Sequence, residues 1–257
     1  MNSEPFIAVN ARALLEQHGL DSFDALWGLQ LDAVDDPNIG RGGWSSVYRL
    51  ELADTDGQVQ SFYLKRQQNH LSRSLRHPGG EPTFAREFRA IQQYARQGIP
   101  ALEAAFFAKR RTAEGRQAIL LTRALDDYQP LDEWFARWLD LSWADKRDLT
   151  LACGALVHAL HNTGRIHNCL YPKHIFARLA QDGAGARLID LEKTRRALLG
   201  QRDRVRDLDT LNRRSPALSR AIRLRFLLAC LGKHRLDDEA RVMIAALNQR
   251  QQRKQAA

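Results

Sequence analysis

A lysine, two carboxylates and a glycine-rich turn occur along this 257-residue chain in an order that could handle a nucleoside triphosphate. Phosphoryl transfer from ATP needs backbone amides near the phosphates, a cation on them, a carboxylate to hold magnesium and a group to orient the acceptor hydroxyl. Gly40-x-Gly42-x-x-Ser45-x-Val47 puts small residues where a backbone must approach phosphate closely. Lys65 closes the run Phe62-Tyr63-Leu64-Lys65, whose apolar residues would hold its ammonium in a cleft. Glu87 follows between Phe84, Phe88 and Ile91, placed to pair with that lysine, with Glu81 and Glu103 open as substitutes. Asp190 ends the apolar stretch Leu188-Ile189 and offers the hard oxygen donor that magnesium requires, with His174 as its companion. Each part alone has a bland explanation: a hairpin turn, a solvated strand lysine, a surface helix charge, a structural His or Asp. Their order along one chain carries the reading.

The elements that must position these residues are legible in outline. Residues 38–50 read as a glycine-rich turn feeding an alternating strand, and Gln58–Lys65 as a second strand after the Asp56-Gly57 turn. A basic loop from Gln67 to Pro82 leads into a helix over Thr83–Gln97, with Thr83 as its cap. Strands follow at Ala104–Lys109 and Ala118–Thr122, and Leu131–Leu139 opens a largely helical remainder. Within it, Leu149–Thr163 is an apolar-rich helix stopped by Gly164, and Leu224–Leu231 and Ala240–Leu247 keep helical periodicity. An amphipathic pattern near Ala11–Gln17 is given an accessory role. Strands first and helices later indicate an α+β fold with two unequal lobes. The expected division is one domain made of an accessory segment 1–37, a small antiparallel-sheet lobe 38–124 and a mostly helical lobe 125–257.

Composition limits what the chain can be. With 44% hydrophobic residues it can form a globular core, and no apolar run approaches the roughly 20 residues that span a bilayer. The opening Met1–Leu20 mixes Glu4, Arg12 and Glu16 among its apolar residues, unlike a secretory signal, so a cytoplasmic location is expected. Cys153, Cys169 and Cys230 lack any C-x-x-C spacing and read as reduced thiols. The net charge of +9 favours an anionic partner: nucleic acid, a phospholipid surface or a phosphorylated sugar. Nucleic acid is the weakest of these, because no helix-turn-helix, zinc finger or aromatic RNA-binding motif accompanies the charge. Part of the charge lies in the tail Gln249–Ala257, where a solvated helix end is an equally good reading and no recognition module is inferred.

The segment His167-Asn168-Cys169-Leu170-Tyr171-Pro172-Lys173-His174-Ile175-Phe176 and the later Asp190-Leu191-Glu192 resemble the lipopolysaccharide core heptose kinases and the InaA group, over roughly Asn38 to Arg214. That resemblance implies a bilobal protein-kinase-like fold with ATP as donor and magnesium as cofactor. It implies that Gly40, Gly42, Ser45, Val47, Lys65, Glu87 and Thr122 bind the nucleotide, that Thr122-Arg123-Ala124 form the hinge against adenine, and that Asp190 and His174 hold the metal. Asp207 would brace the loop that begins at His167. The departure falls at Cys169, which stands where the family pattern has its catalytic Asp; an ordinary thiol stays mostly protonated near neutrality and is a poor base. Three readings stand for Cys169: a core-facing residue in a nucleotide-binding pseudokinase, a positioning residue in a slow kinase, or a redox-sensitive thiol. Glu192 is a candidate displaced carboxylate.

The resemblance implies an ATP-dependent sugar-lipid phosphotransferase, with a pseudokinase acting as a regulatory or stress-response scaffold as the alternative. Its acceptor would be an anionic phosphorylated sugar or lipopolysaccharide core, with peripheral contact at the inner membrane. The basic stretch Arg66–His77, carrying Arg66, His70, Arg73, Arg76 and His77, is a candidate cradle for that anion.

Overall fold

Alternation of apolar and polar side chains over residues 43–68 builds two long neighbouring strands, and the rest of the first compact unit assembles on them. A computed structural model describes residues 4–74, 77–215 and 218–255, which divide into two compact units: residues 1–93 with 102–126, and residues 94–101 with 127–257.

In the first unit, β1 (Phe6–Ile7), α1 (Val9–Gln17), α2 (Phe23–Gly28), β2 (Asn38–Gly40), β3 (Gly43–Ala53) and β4 (Val59–Gln68) are followed by a hairpin, β5 (Leu71–Ser74) and β6 (His77–Pro82). Then come α3 (Thr83–Arg96), β7 (Ala104–Thr112) and β8 (Gly115–Arg123). Six strands form an antiparallel sheet in the order β1-β7-β8-β4-β3-β2. Period-two alternation divides its faces. Leu50, Leu52, Phe62, Leu64, Phe106 and Leu121 turn to one side, where they form a core with Ala11, Leu14, Leu15 and Leu26. The opening segment is therefore built into this unit, through β1 pairing with β7 and through α1 and α2, and is not an appendage. On α3, Phe88 stacks on Phe107 at 4.3 Å.

The expected loop from Gln67 to Pro82 is instead the end of β4 and the β5–β6 hairpin. Gly79, Gly80 and Pro82 obscured it, because such residues signal a break even where they lie on a two-stranded edge. The cap of α3 also differs from expectation. Buried Gln67 accepts through Oε1 from the Phe84 N–H at 2.8 Å and from the Thr83 hydroxyl at 2.9 Å, so a neighbouring strand supplies the cap.

The second unit contains β9 (Gln129–Pro130), α4 (Leu131–Ala136), α5 (Trp143–Asn162), β10 (Arg165–Ile166), β11 (Ile175–Ala180) and β12 (Gly183–Leu188). It continues through β13 (Arg195–Arg196), α6 (Gln201–Asn212), α7 (Arg220–Cys230) and α8 (Asp238–Gln255). Helix α5 supplies Leu149, Cys153, Leu156, Val157 and Leu160 to the core, and its N-cap Ser142 accepts from the Asp145 N–H. Gly164 follows its end at φ +71, as expected of a helix-stopping glycine. The basic tail is anchored: Arg250 and Lys254 of α8 reach the fully buried carboxylate Asp209 at 3.0 and 2.7 Å. Burial pushes the Asp209 pKa up, but the hydrogen bonds from Lys254 and Arg250 outweigh it and hold the group below its ordinary range. Among the described residues no helix is long and apolar enough to cross a membrane.

Candidate functional site

The glycine-rich turn is a two-residue hairpin. Gly40 pairs with Gly43 across Arg41 and Gly42, which sit at φ +54 and +83, the two left-handed positions that a tight hairpin of this hand demands. Gly43 has a separate reason to lack a side chain: a Cβ there would lie 1.9 Å from the Gln68 carbonyl oxygen. Ser45 and Val47 continue along β3, and Val47 lies opposite Lys65 of β4.

Lys65 Nζ contacts Glu87 Oε1 at 2.6 Å, and the two side chains are only 17% and 3% exposed. Lys65 reaches α3 because the β4 alternation that buries Phe62 and Leu64 on one face turns Lys65 to the other. Glu81 is committed elsewhere, to both terminal nitrogens of Arg89 at 2.7 Å, so Glu87 is the residue paired with Lys65. Around the candidate hinge the backbone is bonded within the chain. The Arg123 N–H is bonded to Glu103 O and the Ala124 N–H to Ser61 O, while Thr122 is buried within the β8 ladder.

The basic cradle needs correction. Arg66 is 7% exposed and donates to the carbonyls of Trp27 and Leu29 at 2.7 and 2.8 Å, with its guanidinium over the Tyr48 ring. His70 is buried beside the Thr83 hydroxyl at 3.2 Å. Both are spent on the fold: Arg66 finds its acceptors at the carbonyl end of α2, and His70 lies against a buried hydroxyl. Arg73 and His77 are exposed on the β5–β6 hairpin, and Arg76 lies outside the described residues.

In the second unit the loop after β10 is held by one buried carboxylate. Asp207 on α6 accepts from the backbone N–H groups of His167 and Asn168, both at 2.8 Å, and lies 3.3 Å from His161. Asn168 takes φ +65, a left-handed turn that Asn tolerates better than most residues. His167 is fully buried, with Nε2 on Ile189 O at 2.9 Å. Cys169 is 8% exposed, and its carbonyl accepts from the Tyr171 N–H at 2.8 Å and from His174 Nδ1 at 2.9 Å.

His174 and Asp190 come together at 3.3 Å, Nε2 to Oδ2. Because Nδ1 faces a carbonyl, it must carry the ring proton, which leaves Nε2 an acceptor in the neutral ring. Burial lowers the His174 pKa against the opposing pull of Asp190, favouring that neutral form. Two acceptors then face each other, an arrangement that a shared proton or a bound cation resolves. Asp190 sits at φ +55, ψ +58, with its side chain 38% exposed. The donor set offers one carboxylate oxygen and one imidazole nitrogen; among the described residues no cluster of three or more His, Cys, Asp or Glu could hold a metal alone. Glu192 follows in the short turn Leu191–Lys193 and is partly buried.

Arg195 was not singled out from sequence. It forms two bonds to buried Asp203, at 2.7 and 2.8 Å, fixing the segment beyond Glu192. The signal was present as Arg195 with Asp203 eight residues on, but a loop of that length hides which partners meet.

An antiparallel sheet whose strand lysine is paired to a helix glutamate is the arrangement of kinase-like proteins, and the fold belongs to that class. The class narrows to a family: the model of the lipopolysaccharide kinase (Kdo/WaaP) family matches residues 24–229, and the chain belongs to it. Protein InaA of Escherichia coli (strain K12) is 31% identical over 180 residues, which cover 69% of this chain and 81% of that protein. The solved structure of WaaP in complex with acyl carrier protein matches with a TM-score of 0.68 at 20% identity, over 98% of this chain and 99% of the other, a likeness of fold.

Proposed function

We propose that the chain transfers phosphate from ATP to a hydroxyl of an anionic, lipopolysaccharide-type core sugar, with heptose as the first acceptor to test. The observation that carries this reading is the Lys65–Glu87 pair, because a cation fixed at 2.6 Å by a buried carboxylate is held ready for donor phosphates. The two compact units are read as the sheet lobe and the helical lobe of a kinase. Gly40, Gly42, Ser45 and Val47 of the hairpin and Thr122 of β8 would line the nucleotide, and Asp190 would give magnesium its oxygen ligand with His174 alongside. Bound there, magnesium would neutralise charge on the transferring phosphoryl group. Membership of the lipopolysaccharide kinase family supports the acceptor class. Arg73 of β5, with Arg76, remains a candidate anion contact, and reversing both to Glu is expected to weaken core-saccharide binding.

Cys169 leaves the acceptor without the usual carboxylate. A loose transition state depends mainly on positioning and electrostatics, so transfer without that base is expected to be slow, by roughly 10²–10⁴-fold. Cys169→Asp is expected to raise the rate, while Glu192→Gln tests whether Glu192 takes the missing role. Calorimetry of ATP with and without magnesium, on wild type, Lys65→Met and Asp190→Ala, combined with labelled phosphate transfer to purified core saccharide, tests the whole reading. Magnesium-dependent binding with transfer supports a kinase, and binding without transfer to any offered hydroxyl supports a nucleotide-dependent scaffold. Loss of nucleotide binding in folded wild type removes both.

The named partner of WaaP suggests one further test. A cavity of about 1040 Å³ in the second unit has an apolar side, with Leu131, Phe135, Trp138, Leu149 and Leu227, that would suit an acyl chain, and a cationic side with Arg213, Arg220, Arg223 and Lys254. Binding of acylated but not unacylated carrier protein would extend that partnership to this chain.

A further inference from the structure

Between β13 and α6 the chain exposes two adjacent leucines, Leu198 at 80% and Leu199 at 65%. They stand on a fixed turn. Asp203 accepts from the Leu199 N–H at 3.1 Å as well as from Arg195, the Ala197 N–H bonds to Gly164 O at 2.8 Å, and the Gly200 N–H closes on Ala197 O at 3.2 Å. Gly200 adopts φ +52, ψ −120, a conformation open essentially to glycine alone. The leucines are therefore presented by the fold.

The surroundings are basic. From Lys193 to Arg206 the sequence carries six cations and one carboxylate, Asp203, which is already paired with Arg195. Helix α6 sorts its charges by face: Asp203, Asp207 and Asp209 are each at most 2% exposed and turned inward, whereas Arg202 and Arg206 are exposed. Arg196, which precedes the leucines in sequence, is exposed as well. An apolar tip inside a cationic frame matches the boundary of an anionic bilayer, where leucine enters the acyl region and arginine reaches the phosphates. An acidic protein surface would satisfy the arginines, but it gives two adjacent leucines no comparable apolar environment.

We infer that the Ala197–Gly200 turn inserts into the surface of an anionic phospholipid bilayer, with Arg196, Arg202 and Arg206 on the headgroups. This contact is independent of phosphoryl transfer, because it is read without nucleotide. The test is co-sedimentation of the full chain with phosphatidylcholine vesicles, alone and mixed with phosphatidylglycerol, at low and high salt. Binding is expected only to the mixed vesicles. Leu198→Ser with Leu199→Ser is expected to weaken it roughly tenfold, and Arg202→Glu with Arg206→Glu at least as much. Unchanged melting temperatures of both variants, whose altered side chains are exposed, exclude misfolding as the cause. The inference is overturned if wild type ignores anionic vesicles, if it binds both vesicle types equally, or if the leucine variant binds as wild type does.

Discussion

Two buried carboxylates, one in each unit, are held by different means. In the first, Lys65 and Glu87 answer charge with charge, side chain to side chain. In the second, Asp207 answers backbone: two main-chain N–H groups and an imidazole converge on one carboxylate. A side-chain pair fixes the position of one charged group, whereas a backbone anchor fixes the path of a loop. The first device is local in its consequences and the second is structural.

Removing each device should expose that difference. Asp207→Ala leaves two buried amides and His161 without their acceptor, and is expected to cost about 3–5 kcal/mol by chemical denaturation, the largest effect here. Lys65→Ala is expected to cost about 2 kcal/mol, because it removes the cation that faces a buried carboxylate. The double variant Lys65→Met with Glu87→Leu should recover most of that stability while abolishing nucleotide binding. A double variant as unstable as the single one would mean the pair belongs to the fold, and the contrast between the units would collapse.

The Arg195–Asp203 clamp combines both styles, and pH separates them. The hydrogen bonds from Arg195 hold the Asp203 pKa down at about 2, against an ordinary value of 3.8. A carboxyl depressed in the folded state adds stability that is complete above the unfolded value and lost as pH falls through the folded one. Wild type should therefore lose this contribution between about pH 4 and pH 2, and Asp203→Asn should flatten that part of the profile. The smallest effect is expected at Asp209, where Arg213, Arg250 and Lys254 share one carboxylate. Arg250→Ala should cost only about 0.5–1 kcal/mol, measured by thermal melting, because two cations remain.

What the sequence revealed divides along the same line. The Lys65–Glu87 pairing was legible because strand alternation and helical spacing fix the directions of side chains on regular elements. The α5 boundary near Gly164 was legible for a similar reason. Arg66 and His70 were misread as ligand contacts, since a basic residue in a Gly/Pro-rich stretch looks the same whether it meets an outside anion or carbonyls such as those of Trp27 and Leu29. The Gln67 cap of α3 and the grip of α8 on Asp209 join residues distant in sequence, and no local pattern announces them. The opening helices were undervalued because their partners, Phe62 and Phe106, lie far along the chain.

The carbonyl of Cys169 receives two hydrogen bonds, and the N–H groups before it belong to Asp207, so the loop is written in main chain and is indifferent to the side chain at position 169. A lineage with this architecture can exchange that side chain without rebuilding the loop around it.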